Sequence, residues 1–173
     1  KRRIELARTH YGASHPIVLQ GLLSEVSAAR ERQDHASAST LLDEIDMLLD
    51  QSGQNQSLLR ADWWQQRARE IYLTGGAMDE MAKLLEQCFA LYEKLAPGTR
   101  GYATALSDAA NIYSERGDPV QQRRLNERAL AVYAAAPDRN DADVQVVLGN
   151  YARNLELLGE FEPAQDAYTR AED

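Results

Sequence analysis

By type, three histidines, one cysteine and a short run of acids are the side chains of this 173-residue chain that could carry chemistry. His10 and His15 bracket a glycine in the stretch His10-Tyr11-Gly12-Ala13-Ser14-His15-Pro16. Two imidazoles on such a bend could begin a metal site or a proton relay. Either one needs further partners. No HExxH pair, phosphate-cradling glycine loop or Ser–His–acid set accompanies them, and His35 stands apart. Asp43, Glu44 and Asp46 alternate with Leu41, Leu42, Ile45, Leu48 and Leu49, which reads as the wet side of an amphipathic helix. Cys88 lies among Leu84, Leu85 and Leu91 and reads as a small buried hydrophobe. The expectation is a chain with no catalytic residue, no metal site and no cofactor.

Composition narrows the class. Ala, Leu, Glu, Gln and Arg recur throughout while Pro and Gly number 5 and 10, so an all-α fold is expected. The formal net charge of −8 opposes binding along a phosphate backbone, and nucleic acid is not expected as a partner. No apolar run is long enough to cross a bilayer, so direct membrane insertion is not expected. The opening residues Lys1-Arg2-Arg3-Ile4-Glu5 carry neither a methionine nor a signal-peptide apolar region, and the chain reads as a piece of a longer protein.

A repeat organises what lies between. The turns Gln33-Asp34, Gly75-Gly76, Gly117-Asp118 and Gly159-Glu160 are spaced by a constant 42 residues. Four, seven and eleven residues before each turn stand Ala29/Val26/Leu22, Ile71/Ala68/Trp64, Tyr113/Ala110/Leu106 and Leu155/Ala152/Leu148. Steps of three and four put these on one helical face, with a small or slender residue in the middle where a second helix comes close. His15, Ser57, Thr99 and Asp141 lie eighteen residues before the turns, and Ser, Thr and Asp there are good N-caps. Each unit is therefore expected to be a helix A, a tight turn and a helix B. The A helices are placed near 16–33, 57–74, 99–116 and 141–158, and the B helices near 35–51, 77–95, 119–135 and 161–172. Pro16, Pro119 and Pro163 fall in first turns, where a missing amide is tolerated. Residues 1–11 read as the second helix of a preceding pair. The whole is expected to be a single domain over 1–173, made of 1–11 followed by the pairs 15–51, 57–95, 99–135 and 141–172.

Trp64, Ala68, Tyr72, Tyr113, the turn glycines Gly75, Gly117 and Gly159, and the alanines Ala38 and Ala164 resemble the spacing of the tetratricopeptide repeat (TPR). The 42-residue period and the Gly-Ala-Ser-His-Pro joint are similar to the longer, kinesin-light-chain-like subtype. The resemblance implies a right-handed solenoid of about nine helices. Glu80 and Gln122 depart from it by replacing the small helix-B residue, which implies a shift of about one residue in the middle two B helices. HEAT and armadillo arrays have a similar period, but no A helix here carries proline beyond its opening turn. The segments 6–23 and 35–50 also resemble repeats that follow membrane-anchored bacterial serine/threonine protein kinases. That implies the sensor or scaffold region of a signalling protein on the periplasmic side; without it, a cytoplasmic module is expected.

The polar face of the A helices is where such a solenoid would read a protein or peptide. Positions thirteen, nine, six and two before the turns share that face. They hold Gln20/Ser24/Ser27/Glu31, Asp62/Gln66/Arg69/Leu73, Thr104/Asp108/Asn111/Glu115 and Val146/Asn150/Arg153/Leu157. The candidate peptide groove is Asp62, Gln66, Arg69, Leu73, Thr104, Asp108, Asn111, Glu115, Asn150 and Arg153, with Arg69 and Arg153 available to a carboxylate or phosphate. The bland alternative is that these are only the solvated sides of amphipathic helices. The family's co-chaperone members clamp a C-terminal carboxylate with lysines and asparagines. Here those places hold Leu23, Gln65, Ser107 and Gly149, then Ser27, Arg69, Asn111 and Arg153, so that clamp is not reproduced. Trp64 is expected in the core and Trp63 packed against a preceding B helix. Self-association into a homo-oligomer through an exposed solenoid end is the second reading, and a small-molecule sensor the third.

Overall fold

The computed structural model describes residues 2–137 and 140–172, and among these residues the chain is all-α, with nine helices and no strand. The helices are α1 (Arg2–Tyr11), α2 (Pro16–Glu31), α3 (His35–Gln51), α4 (Leu58–Leu73), α5 (Met78–Leu95), α6 (Arg100–Glu115), α7 (Pro119–Ala135), α8 (Asp141–Leu157) and α9 (Phe161–Glu172). They fall into two compact units, one comprising α1 to α5 and the other α6 to α9.

In the first unit the residues before the turns close the core: Leu22, Val26 and Ala29 of α2 are buried, as are Ala68 and Ile71 of α4. Helix α3 meets them with Ala38, Leu42, Ile45 and Leu49, all without exposed surface. Each buried Leu, Ile or Val among them contributes about 1.5–3 kcal/mol by leaving water. Trp63 packs against the preceding B helix as expected, whereas Trp64, expected in the core, lies further out. Trp63 is the buried one, at 7% exposure, and its indole N–H donates to the backbone carbonyl of Leu42 across 2.7 Å. Trp64 is half-buried against the edge of the same cluster. Adjacent residues differ by 100° around a helix, and the one whose N–H finds a carbonyl can go inside without leaving a donor unpaired.

Helix α5 begins one residue later after its turn than α3 does. Its buried row is Met81, Leu85, Cys88 and Tyr92, while Glu80 is exposed. The expected shift is thus real in α5. It is absent from α7, which keeps the register of α3 and buries Gln122 at the position of Ala38.

The second unit packs Leu106 and Ala110 of α6 and Leu148, Ala152 and Leu155 of α8 against Ala129 and Tyr133 of α7 and Ala164 and Ala167 of α9. Its interior also holds amides. Asn126 and Asn154 have no exposed surface and Gln122 has 4%. Asn154 Nδ2 donates to Gln122 Oε1 (3.0 Å) and to the carbonyl of Pro119 (2.9 Å), but Asn154 Oδ1 and both amide atoms of Asn126 have no hydrogen-bond partner among the described residues.

The turns follow backbone sterics. Gly75, Gly117 and Gly159 have φ of 69°, 70° and 78°, and Gln33 takes the same left-handed conformation at 57°. His15 caps α2 by accepting the Ile17 amide on Nδ1, and Ser57 caps α4 by accepting that of Arg60. Thr99 precedes α6 without a side-chain cap bond and instead donates to the carbonyl of Ala96 (3.0 Å). In the last repeat the cap is Asn140, which accepts the Ala142 amide at 3.0 Å, and not Asp141 as expected. Helix α8 gains one residue at its start, and Asp141 becomes the first helical residue, where its charge faces the positive end of the helix dipole.

Candidate functional site

The candidate face is built on A helices within each unit. In the first unit α2 and α4 border an open cavity of about 310 Å³ lined by Gln20, Leu23, Ser24 and Ser27 from one helix and Asp62, Gln65 and Gln66 from the other. The 4-3 spacing of Gln20, Ser24 and Ser27 is what aligns them along one side of α2. The Ser24 and Ser27 hydroxyls donate back to the carbonyls of Gln20 (3.0 Å) and Leu23 (3.5 Å). With their protons so used, they offer lone pairs to whatever enters.

Asp62 is held from behind by α5, whose Tyr92 donates its phenolic hydrogen to the carboxylate. Burial pushes the Asp62 carboxyl above the ordinary carboxylate range, and the Tyr92 hydrogen bond offsets this only in part. Tyr92 itself is pushed up by burial and then by the neighbouring Asp62 charge. Gln66 is fixed by Arg30 of α2, which donates to its side-chain oxygen and to its backbone carbonyl. Arg30 also pairs with Glu70 at 2.7 Å, and His35 reaches the other oxygen of that carboxylate at 2.8 Å. Glu70 is only 2% exposed, so a buried carboxylate ties together α2, the first turn of α3, and α4.

The second unit repeats this scheme with neutral groups. Thr104 of α6 meets the Tyr133 hydroxyl of α7 at 3.1 Å, as Asp62 meets Tyr92. Asn150 Nδ2 donates to Asn111 Oδ1 at 3.0 Å, so two of the expected groove residues are already joined. Asn154 grips the start of α7 through Pro119, in the place where Glu70 grips the start of α3.

Of the ten sequence-predicted residues, Asp62 and Gln66 line the cavity and Asn111 and Asn150 bond each other. Thr104 is anchored by Tyr133. Arg69 and Leu73 are exposed further along α4 and line no part of that cavity. In the second unit Asp108 is half-buried, and Glu115 and Arg153 are exposed. Sequence reasoning missed Gln65 as a cavity residue, the two tyrosines and the clamps Glu70 and Asn154. The tyrosines carried a signal, since Tyr92 and Tyr133 recur on successive B helices one residue short of the 42-residue period.

A larger cavity, about 650 Å³, lies over α2 between α1 and α3, with Ile4, Leu22 and Leu41 among its apolar walls. An ion pair between Arg8 and Glu44 joins α1 to α3 beside it. The histidine stretch is structural in its contacts. Tyr11 stacks on His15 with ring centres 4.8 Å apart and meets His10 edge-on at 4.5 Å. Among the described residues no group of three or more His, Cys, Asp or Glu is placed to hold a metal ion, and no helix is long and apolar enough to cross a membrane. Cys88 is fully buried on α5.

Solved structures share this arrangement. BtubC (BKLC) from P. vanneervenii superposes with a TM-score of 0.80 at 14% sequence identity, over 90% of this chain and 62% of that one. The nearly identical TPR-like repeats of a protein described as a kinesin light chain from Podosopora anserina superpose with a TM-score of 0.68 at 18% identity, over 98% of this chain and 80% of that one. The fold is that of the TPR-like helical repeats. No family model matches the sequence, and no curated protein does. The TPR-like chain spans under two thirds of the length of BtubC, so what it shares with that protein is the repeat architecture.

Proposed function

We propose that this TPR-like chain is a protein-interaction module that reads an extended peptide along the polar faces of its A helices. One observation supports the reading above the others. The cavity between α2 and α4 is polar and its groups are held in place beforehand, Gln66 by Arg30 and Asp62 by Tyr92. Side chains already immobilised lose little entropy when a ligand arrives, which is what separates a recognition surface from a merely wet helix side. A displayed library of short peptides selected against the chain tests it. Peptides should enrich on the wild type and be lost when Ser24→Trp fills the cavity; enrichment indifferent to Ser24→Trp overturns the assignment.

The finer reading, a sensor or scaffold region of a bacterial signalling protein such as a membrane-anchored serine/threonine kinase, rests on sequence resemblance alone. In that setting phosphoryl transfer lies in another part of the protein. The full open reading frame tests it, by the presence or absence of a kinase domain and one membrane-spanning helix.

A small-molecule role is favoured by the cavity over α2, whose volume falls within the range of about 300–1,000 Å³ usual for such sites. Thermal-shift screening of metabolites tests it, with stabilisation growing with ligand concentration.

A further inference from the structure

The lining of the α2–α4 cavity offers two hydroxyl acceptors, three amides that can donate or accept, and one carboxylate, and it holds no cation. Its polar lining is Gln20, Ser24, Ser27, Gln65, Gln66 and Asp62, of which only Asp62 can be charged. Of the arginines on the two helices, Arg30 is engaged with Glu70 and Gln66, Arg67 with Asp43 at 3.2 Å and Arg60 with Asp46 and Asp50, while Arg69 is exposed further along α4 and lines no part of the cavity. Among the described residues the partner of the Asp62 carboxylate is the Tyr92 phenol, a neutral donor. A half-buried carboxylate with one neutral donor and no counter-ion has lone pairs to spare, and the Ser24 and Ser27 oxygens beside it point the same way chemically.

Ligand donors must match these acceptors. A lysine ammonium brings three N–H groups and an arginine guanidinium five, each with the charge that Asp62 lacks opposite it. The cavity suits one long side chain, with Leu23 in its wall to take the aliphatic stem. The net charge of −8 draws a basic segment towards the chain before contact. A carboxylate or phosphate ligand would instead meet Asp62 with like charge.

We infer that the α2–α4 cavity seats a lysine or arginine side chain of a bound peptide, with Asp62 as its counter-ion. The inference rests on the peptide-binding reading above and adds the chemistry of the residue read. The experiment takes the displayed-peptide selection, sequences the winners, and remakes the best one with norleucine or citrulline at its basic position. Binding of each pair to wild type, Asp62→Asn and Ser24→Lys is measured. The expected result is a shared basic position whose neutralisation weakens wild-type binding about tenfold or more, as for a partly desolvated charge pair. Asp62→Asn should lose a similar factor for the basic peptide and almost none for the neutral one. Ser24→Lys, which sets a like charge in the cavity without touching Asp62, should weaken the basic peptide several-fold more than the neutral one. Winners with no basic position, or equal losses for both peptides in either variant, overturn the inference while leaving peptide binding intact. No enrichment on the wild type overturns the peptide reading and this inference together.

Discussion

The phenol of Tyr92 donates to the carboxylate of Asp62, so a residue of helix B fixes the rotamer of a residue that lines the cavity between two A helices. The relationship has a measurable signature in pH. Burial holds the folded-state value of Asp62 above its ordinary 3.8, so between 3.8 and that raised value the folded chain keeps a proton that the unfolded chain has given up. Stability contributed by this group therefore falls as pH rises through that window and stays low above it. The expected outcome is that Asp62→Asn gains stability relative to the wild type as pH is raised from acid towards neutral, measured by urea unfolding at matched pH. Tyr92→Phe removes the donor that favours the charged form and should widen the window. A pH-independent difference between wild type and Asp62→Asn contradicts the assignment.

Trp63→Ala should cost about 3–5 kcal/mol, because it removes a buried indole from the core. Trp63→Phe keeps much of the area but leaves the Leu42 carbonyl without the indole donor, and about 1 kcal/mol is expected. Trp64→Ala, at a half-buried position, should cost less than Trp63→Ala. Denaturant midpoints rank the three.

Glu70→Ala leaves the Arg30 guanidinium, 9% exposed, without its carboxylate, and a loss of about 3 kcal/mol is expected. Glu70→Gln keeps the shape and an acceptor for Arg30, and should recover part of that loss. Chemical denaturation of the two variants side by side measures the difference.

Asn126 stands at the repeat position of Leu42, fully buried, with neither amide atom bonded among the described residues. Replacing it by the residue of the other repeat, Asn126→Leu, should stabilise the second unit by about 1–3 kcal/mol through relief of unpaired buried polar atoms. Calorimetry reads this directly. An unchanged or lower melting temperature would show that the amide finds partners, such as internal water.

Gln33→Gly should stabilise by about 0.5–1 kcal/mol, since Gln33 alone of the four repeat turns holds a left-handed φ with a side chain. The reciprocal Gly117→Ala should destabilise by a similar amount, because nothing lies within 4 Å of the added methyl and only the backbone conformation opposes it. Urea midpoints of both variants check the pair.

These expectations divide along the line of what a single sequence can encode. The turn row, the helix pairs and the small residues Val26, Ala68, Ala110 and Ala152 were legible because they answer to backbone sterics and to a fixed helical period. The caps were legible to within a residue, and α8 shows why not closer: Asn140 and Asp141 are both good caps, and one more helical residue decides between them. The packing of Trp63 on the preceding B helix was legible, but its being buried deeper than Trp64 was not, since that rests on the Leu42 carbonyl of another helix. Glu70, Asn126 and Asn154 escaped because polarity was taken to mean outward, whereas hydrogen bonding inside the core can turn a polar side chain inward. In the candidate site, spacing put Asp62 and Gln66 on one face of α4, but Gln65 beside them and the tyrosine behind Asp62 come from neighbours that no spacing rule names.

The late start of α5 has a consequence for anyone recombining these repeats. Its buried row is rotated by one residue, yet Thr99 still precedes α6 at the 42-residue interval from Ser57, so the slip arises and is absorbed within a single repeat. A cassette cut at the residues before the A helices carries its own phase correction and can be transplanted whole. A cut at the turn between A and B divides the correction from its cause, and the grafted helix then presents its acids to the core.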